Sequence, residues 1–284
     1  MTLQQAIQSA AELFAADEHL RESARRDAES LLLHTAGISR ATLLANPARE
    51  LSAEELGRYR EFITRRAAHE PMQYITGTQE FYGFPFRVTP AVLIPRPETE
   101  HLVEAVLERV EHDRTLHIVD VGTGSGAIAI ALALHLPQAD VFALDLSPAA
   151  LEIAQENAVA LNASGRVRFA VSDLLDSLQP QQKQEYFDAI VSNPPYVPAS
   201  DAAQMHPQVR DYEPASALFA GGDGLDVYRR LIPQARAALK SGGLLALEIG
   251  FGQQRAISEL LSSWHDISFV DDLQGIPRVA LARK

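Results

Sequence analysis

The sequence predicts an α/β protein: a doubly wound sheet of seven strands, mostly parallel with one antiparallel strand, preceded by a small helical bundle and a β-hairpin linker. Three observations carry this. From residue 98 onward, apolar strand-like runs alternate with helical periodicities, the pattern of a parallel sheet covered on both faces. Residues 1–73 show only helical patterns. The last two strands lie too close in sequence to hold a helix between them, so they close as an antiparallel hairpin.

Within residues 1–73, Thr2 and Gln5 form a capping box ahead of Leu3, Ile7, Ala10, Ala11 and Phe14 on one helical face. A second helix over 24–35 ends at Gly37. Ser52 and Glu55 cap a third, which runs through Leu56, Tyr59, Phe62 and Ile63 and stops before Pro71. Nine basic and eleven acidic residues nearly balance here, so most of the formal charge of −12 lies further on. Residues 74–94 are rich in aromatic and β-branched side chains (Tyr74, Ile75, Phe81, Tyr82, Phe84, Phe86, Val88) and punctuated by Gly77, Gly83 and Pro85. They predict a hairpin linker. In residues 95–284, strands are expected at 116–121, 140–145, 166–171, 187–192, 243–249, 267–271 and 278–283. Helices are expected at 98–111, 126–135, 148–161, 225–240 and 252–263.

Composition excludes several classes. No run of apolar residues is long enough for a membrane span, and the N-terminus has no signal-peptide pattern. The chain has no cysteine, which agrees with a cytoplasmic protein and removes disulfides and thiolate metal sites. Its nine histidines show no metal-ligand spacing, so no metal is expected. The acidic balance argues against direct nucleic-acid binding, which draws its affinity from phosphate neutralisation.

Two stretches carry chemistry. Asn193-Pro194-Pro195-Tyr196 follows the apolar run 187–192. Its prolines fix φ and donate no N–H, so the segment offers acceptors: the Asn193 side-chain oxygen and the Pro194 carbonyl. Two rigid acceptors beside an aromatic ring suit an –NH2 group. Asp120-Val121-Gly122-Thr123-Gly124-Ser125-Gly126 ends the first strand of the sheet and opens a helix, as a nucleotide-binding turn does. A purely structural turn would look similar. Asp145 ends the next strand, where a carboxylate accepts from ribose hydroxyls, although alone it equally suits a helix N-cap. Asp173 follows the third, where it accepts from an adenine amino group or serves as a turn residue. Together they favour an adenosine-bearing cofactor.

This arrangement resembles the class I S-adenosylmethionine-dependent methyltransferases, with their Rossmann-like sheet, over roughly residues 95–284. The resemblance implies that Asp120, Gly122, Thr123, Gly124 and Gly126 hold the methionyl part and that Asp145 holds the ribose. It places Asp173 near the adenine and Asn193 beside the sulfonium methyl. In that family the Asn-Pro-Pro-Tyr element occurs in enzymes that methylate adenine in DNA or glutamine in proteins. Leu93-Ile94-Pro95-Arg96-Pro97-Glu98-Thr99-Glu100, Phe81-Tyr82-Gly83, Tyr212-Glu213-Pro214-Ala215-Ser216-Ala217-Leu218-Phe219 and Gly221-Gly222-Asp223-Gly224 extend the likeness to the whole chain. There the chain resembles the peptide chain release factor glutamine methyltransferases (the PrmC/HemK family). That implies a substrate, the Gly-Gly-Gln glutamine of class 1 release factors, with Asn193, Pro194 and Tyr196 catalytic and Pro195 also contacting substrate. It also implies S-adenosyl-L-methionine as methyl donor, S-adenosyl-L-homocysteine as product, and a release-factor-docking role for residues 1–73. A monomer is expected. A ribosomal-protein glutamine methyltransferase, a DNA adenine methyltransferase and a non-catalytic S-adenosylmethionine-binding module are the other readings. Arg96, Glu98, Glu100 and Glu248 receive no catalytic role.

Overall fold

Side-chain caps start two of the three long helices of the N-terminal region in the computed structural model, which describes residues 1–284. The chain forms two units, one of Met1–Thr78 with Gln204–Tyr212 and one of Gln79–Ala203 with Glu213–Lys284. In the first, α1 (Leu3–Ala15) begins at the predicted Thr2/Gln5 capping box. Helix α2 (Ala24–Ala36) ends at Gly37, whose φ of 60° makes it a left-handed cap. Two short helices, α3 (Arg40–Ala45) and α5 (Met72–Thr76), flank α4 (Ala53–Ala67). Neither is long enough to leave a periodic signal. Leu3, Ile7, Phe14, Leu31, Leu32 and Tyr59 form the core, with Ala6 buried and the expected Ala11 only partly so. A buried ion pair joins Arg66 Nε to Asp27 Oδ2 at 2.9 Å.

The second unit opens with β1 (Thr78–Phe81) and β2 (Phe84–Arg87), paired as a two-stranded sheet. Tyr82 and Gly83 both have positive φ, 52° and 77°, the type I′ turn that matches strand twist. Phe81 and Phe86 enter the large core, and Asn157 exchanges hydrogen bonds with the Arg87 backbone in both directions.

Then follow α6 (Pro97–Leu107), β3 (His117–Val121), α7 (Ala127–His135), β4 (Asp140–Asp145), α8 (Pro148–Ala160), β5 (Val167–Val171) and β6 (Phe187–Ser192). The chain next passes through the single turn α9 (Pro207–Arg210), which belongs to the helical unit. It returns to α10 (Asp226–Ala238), β7 (Leu239–Glu248), α11 (Gln254–Leu260), β8 (His265–Asp271) and β9 (Pro277–Arg283). Strand order is β5-β4-β3-β6-β7-β9-β8, and β9 alone runs antiparallel, to both β7 and β8. The predicted seven-stranded sheet and its closing hairpin are present. Strand β7 starts at Leu239, earlier than the expected 243, because Gly242 and Gly243 are absorbed in the strand with a register shift against β6. A glycine pair reads as punctuation in sequence, whereas the sheet tolerates it as a bulge.

Helix α7 is apolar nearly all round and buried through Ala133, as a helix enclosed on several sides must be. The order reverses between β3 and β6, which opens a crevice beyond their carboxyl ends. The glycine turn leaves β3 at that point and Asn193 leaves β6.

Candidate active site

Parallel register aligns the strand ends. Val121 lies opposite Leu144 on one side and Ser192 on the other. Gly122 N and Thr123 N both donate to Leu144 O, at 2.8 and 2.9 Å, curling the chain over the end of β4. Gly122 and Gly124 have φ of 75° and 55°, and a Cβ built on either would meet nothing within 4 Å. Both therefore border open space. Gly126 differs: a Cβ there would come within 2.9 Å of Ile130 and 3.1 Å of Ala154, so this glycine lets α7 pack against α8.

Asp120 is fully enclosed. Its Oδ2 accepts from Thr123 Oγ1 at 2.7 Å and Ala129 N at 3.2 Å, while Oδ1 is buried with no partner in the protein. Burial, opposed by those two hydrogen bonds, pushes the carboxyl up to about 7. Asp145 reaches the turn directly, with Oδ2 accepting from Gly124 N and Oδ1 from Ser147 N, each at 2.8 Å. Burial raises its pKa against these bonds. Each oxygen retains a lone pair for a ligand hydroxyl.

A cavity of about 260 Å³ lies over these strand ends, lined by Gly122, Gly124, Asp145, Leu146, Asp173, Asn193, Pro195 and Arg230 among others. Asp173 Oδ2 accepts from Arg230 Nη2 at 2.6 Å. A smaller space of about 50 Å³ continues past Leu93, Gly122, Gly124 and Asn193 to Arg96, Thr99, Thr123 and Ser125. Asn193 borders both. Its Nδ2 donates to Thr99 Oγ1 at 3.1 Å, and Thr99 Oγ1 donates to Glu248 Oε2 at 2.6 Å. Tyr196 OH makes a long contact of 3.5 Å to the other oxygen, Glu248 Oε1. Glu248 is wholly buried, which pushes its carboxyl up to about 7 against the Thr99 hydrogen bond and the Arg278 charge.

The loop after Asn193 is clamped. Gln253 Nε2 donates to Tyr196 O at 3.0 Å while its Oε1 accepts from Gly250 N at 2.9 Å. Gly224 approaches so closely that a Cβ there would sit 2.2 Å from Tyr196 O. The buried Glu213 carboxylate pairs with Arg96 and accepts from Ile94 N, tying the 213–217 stretch to the start of α6.

The structure thus gathers Gly122, Thr123, Gly124, Asp145, Asp173, Asn193 and Pro195 around the crevice. It does not bring Asp120, Gly126, Pro194 or Tyr196 to either wall. Asp120 and Gly126 support the turn from behind. Pro194 is buried, and Tyr196 turns its ring toward Gly250 and its hydroxyl toward Glu248. Thr99, Arg230 and Gln253 carry no role in the sequence expectations. Glu248 had a signal, a lone acid in the apolar run 244–249; Arg230 had none.

Comparison with known proteins extends this geometry. Residues 5–77 match the PrmC N-terminal domain and residues 98–210 the methyltransferase small domain. The release factor glutamine methyltransferase of Koribacter versatilis is 50% identical over 100% of this chain and 99% of its own length. That of Moorella thermoacetica is 46% identical over 99% and 98%. Among solved structures, the hMettl16 catalytic domain in complex with MAT2A 3'UTR hairpin 1 has a TM-score of 0.58 at 15% identity, covering 89% of this chain and 90% of that one. The 16S rRNA N2 G1207 methyltransferase of Thermus thermophilus, in complex with AdoMet and guanosine, has a TM-score of 0.54 at 23% identity, covering 73% and 49%. These two structures share the fold. With identity of this level over its full length, the chain belongs to the release factor glutamine methyltransferase family.

Proposed function

We propose that this chain transfers a methyl group from S-adenosylmethionine to the side-chain nitrogen of the Gly-Gly-Gln glutamine in class 1 peptide chain release factors. The observation that carries this reading is the full-length likeness to release factor glutamine methyltransferases, at 50% identity. The position of Asn193 on the border of both crevice spaces supports it.

The crevice fits the cofactor. The open space at Gly122 and Gly124 is a cradle that any Cβ would begin to fill, Asp145 offers lone pairs for ribose hydroxyls, and the Asp173–Arg230 pair edges the cavity. Asp120 Oδ1 is buried without a partner behind the turn, and an ammonium bound at the turn would favour its ionised form. When bound, S-adenosylmethionine supplies a methyl made electrophilic by a sulfonium, which keeps the C–S electron pair as the methyl leaves.

The protein's own contribution is orientation. An amide nitrogen is a poor nucleophile because its lone pair is delocalised into the carbonyl. Asn193 Oδ1 accepts from one of its N–H groups, aims the nitrogen, and helps stabilise the positive charge it gains. The extra proton then leaves to water. Tyr196 acts by packing the loop rather than by bonding the substrate. Residues 1–73 are assigned to docking the release factor.

Incubation with labelled S-adenosylmethionine and, in parallel, a release factor, a ribosomal protein and DNA tests the reading. Label is expected on the release factor glutamine. Label only on ribosomal protein or DNA would overturn it.

A further inference from the structure

The contacts behind Asn193 form a relay with a fixed sense. A carboxylate has no proton to give, so an ionised Glu248 can only accept, and at 2.6 Å it takes the single hydroxyl proton of Thr99. The Thr99 oxygen is then left as an acceptor toward Asn193, and it receives Nδ2 at 3.1 Å. The opposite rotation of the carboxamide would set Oδ1 against an oxygen whose proton is already committed. With Nδ2 held, Oδ1 has no hydrogen-bond partner within the protein and is not enclosed, on a residue that borders both crevice spaces. This matters because an asparagine side chain is chemically two-faced. One orientation presents an acceptor to an incoming –NH2, and the other presents two donors that oppose it.

We propose that Thr99 and Glu248 are positioning residues that lock the Asn193 carboxamide with its oxygen toward the substrate amide, and that the lock holds only while Glu248 is ionised. This rests on the proposed methyl transfer to a glutamine amide. Protonated Glu248 can donate to Thr99, which frees the hydroxyl proton to point at Asn193 Oδ1 and stabilises the inverted amide.

Several groups face the carboxyl and set its proton affinity: Thr99 and Glu98 from α6, Arg278 from β9, and Tyr196 from the loop after β6. Tyr228 OH from α10 donates to the Glu248 backbone oxygen at 2.7 Å and fixes the strand end. Burial dominates and pushes the carboxyl up to about 7, so the lock would change state near neutral pH. Neither residue touches the reacting atoms. Their effect passes through Asn193.

Three variants of the full chain, Thr99→Val, Thr99→Ser and Glu248→Gln, test this with two readouts. In the first, kcat and KM are measured with labelled S-adenosylmethionine and a release factor. Thr99→Val removes the hydroxyl at nearly constant volume and is expected to lower kcat by about 100-fold, the scale of a misplaced reacting group. The KM for cofactor should stay within about threefold, since ground-state binding is untouched. Thr99→Ser restores the hydroxyl and should recover most of the loss. Wild-type kcat should fall as pH drops through about 7, and Glu248→Gln should be slower and lose that limb.

The second readout needs no substrate. The side-chain 15N–1H resonances of Asn193 should titrate with a midpoint near 7 in the wild type and stay constant in Glu248→Gln. Wild-type kcat in Thr99→Val, an equal loss in Thr99→Val and Thr99→Ser, or Asn193 resonances indifferent to pH would each overturn the relay. A wild-type protein that labels no release factor but shows the Asn193 titration would overturn the substrate and leave the relay standing.

Discussion

On the β4 and β5 side of Asn193 the crevice is built mainly from backbone. Gly122 and Gly124 curl in left-handed conformations, Leu144 O holds two turn amides, and Asp145 is fixed by the N–H groups of Gly124 and Ser147. On the β7 side it depends on side chains, Asn193 to Thr99 to Glu248. Backbone contacts are shared among many atoms, so the first side should resist single substitutions that avoid its glycines. The second passes through single atoms, and removing one leaves a buried polar group unpaired. Binding and orientation are therefore separable by mutation.

The sharpest separation is expected at Asn193. Asn193→Ala should cost about 3–4 kcal/mol of transition-state stabilisation, by analogy with losing one oxyanion-hole partner, with cofactor affinity by calorimetry near wild type. Turnover close to wild type would merge the two sides again. Gly126→Ala should destabilise the fold by roughly 2 kcal/mol, from a forced φ of 81° and crowding against Ile130 and Ala154. A lowered urea midpoint at constant m value would show it. Asp145→Asn acts on the backbone-built side: it should weaken cofactor binding by roughly 1.5 kcal/mol as a charge-assisted acceptor becomes neutral, while kcat at saturation holds. A collapse of kcat instead would mean that the two sides are coupled.

A further effect is in stability against pH. Asp120 and Glu248 titrate at about 7 when folded, against ordinary values of 3.8 and 4.5. Between those limits the native chain keeps protons that the unfolded chain has lost. Stability therefore falls as pH rises through that window and levels off above about 7, with a slope of up to about 1.4 kcal/mol per pH unit for each group. Glu248→Gln should remove one share of the slope in urea titrations across the window. An unchanged slope would place the Glu248 proton elsewhere.

Much of the cofactor side was legible in the sequence because it follows from local rules. Glycines after an apolar strand mark a turn that needs positive φ, and an acid at the next strand end lands beside it once the strands are parallel. Asp145 meets Gly124 for that reason. The orientation side was not legible. Thr99 and Glu248 stand 149 residues apart, and no periodicity links a threonine in the first turn of a helix to an acid at the end of a strand. Tyr196 was expected at the substrate, but its hydroxyl lies toward Glu248 because Gln253 and Gly224 bend the following loop back onto the sheet.

Local pattern alone dictates the set of elements and the order in which they reach one edge: alternating strands and helices, the capped N-terminal helices, the closing hairpin, and glycine turn, acid, acid and Asn-Pro-Pro-Tyr at successive strand ends. These depend on contacts within a few residues or on a repeating pattern. Which polar atoms are already spoken for depends instead on the packing of distant segments. Asp120 and Gly126 were enclosed behind the turn, Tyr196 was turned inward, and Asn193 was left with one free oxygen. Hydrogen-bond satisfaction in a buried site is settled by neighbours in space, and those neighbours come from α6, β7 and β9, far from Asn193 along the chain.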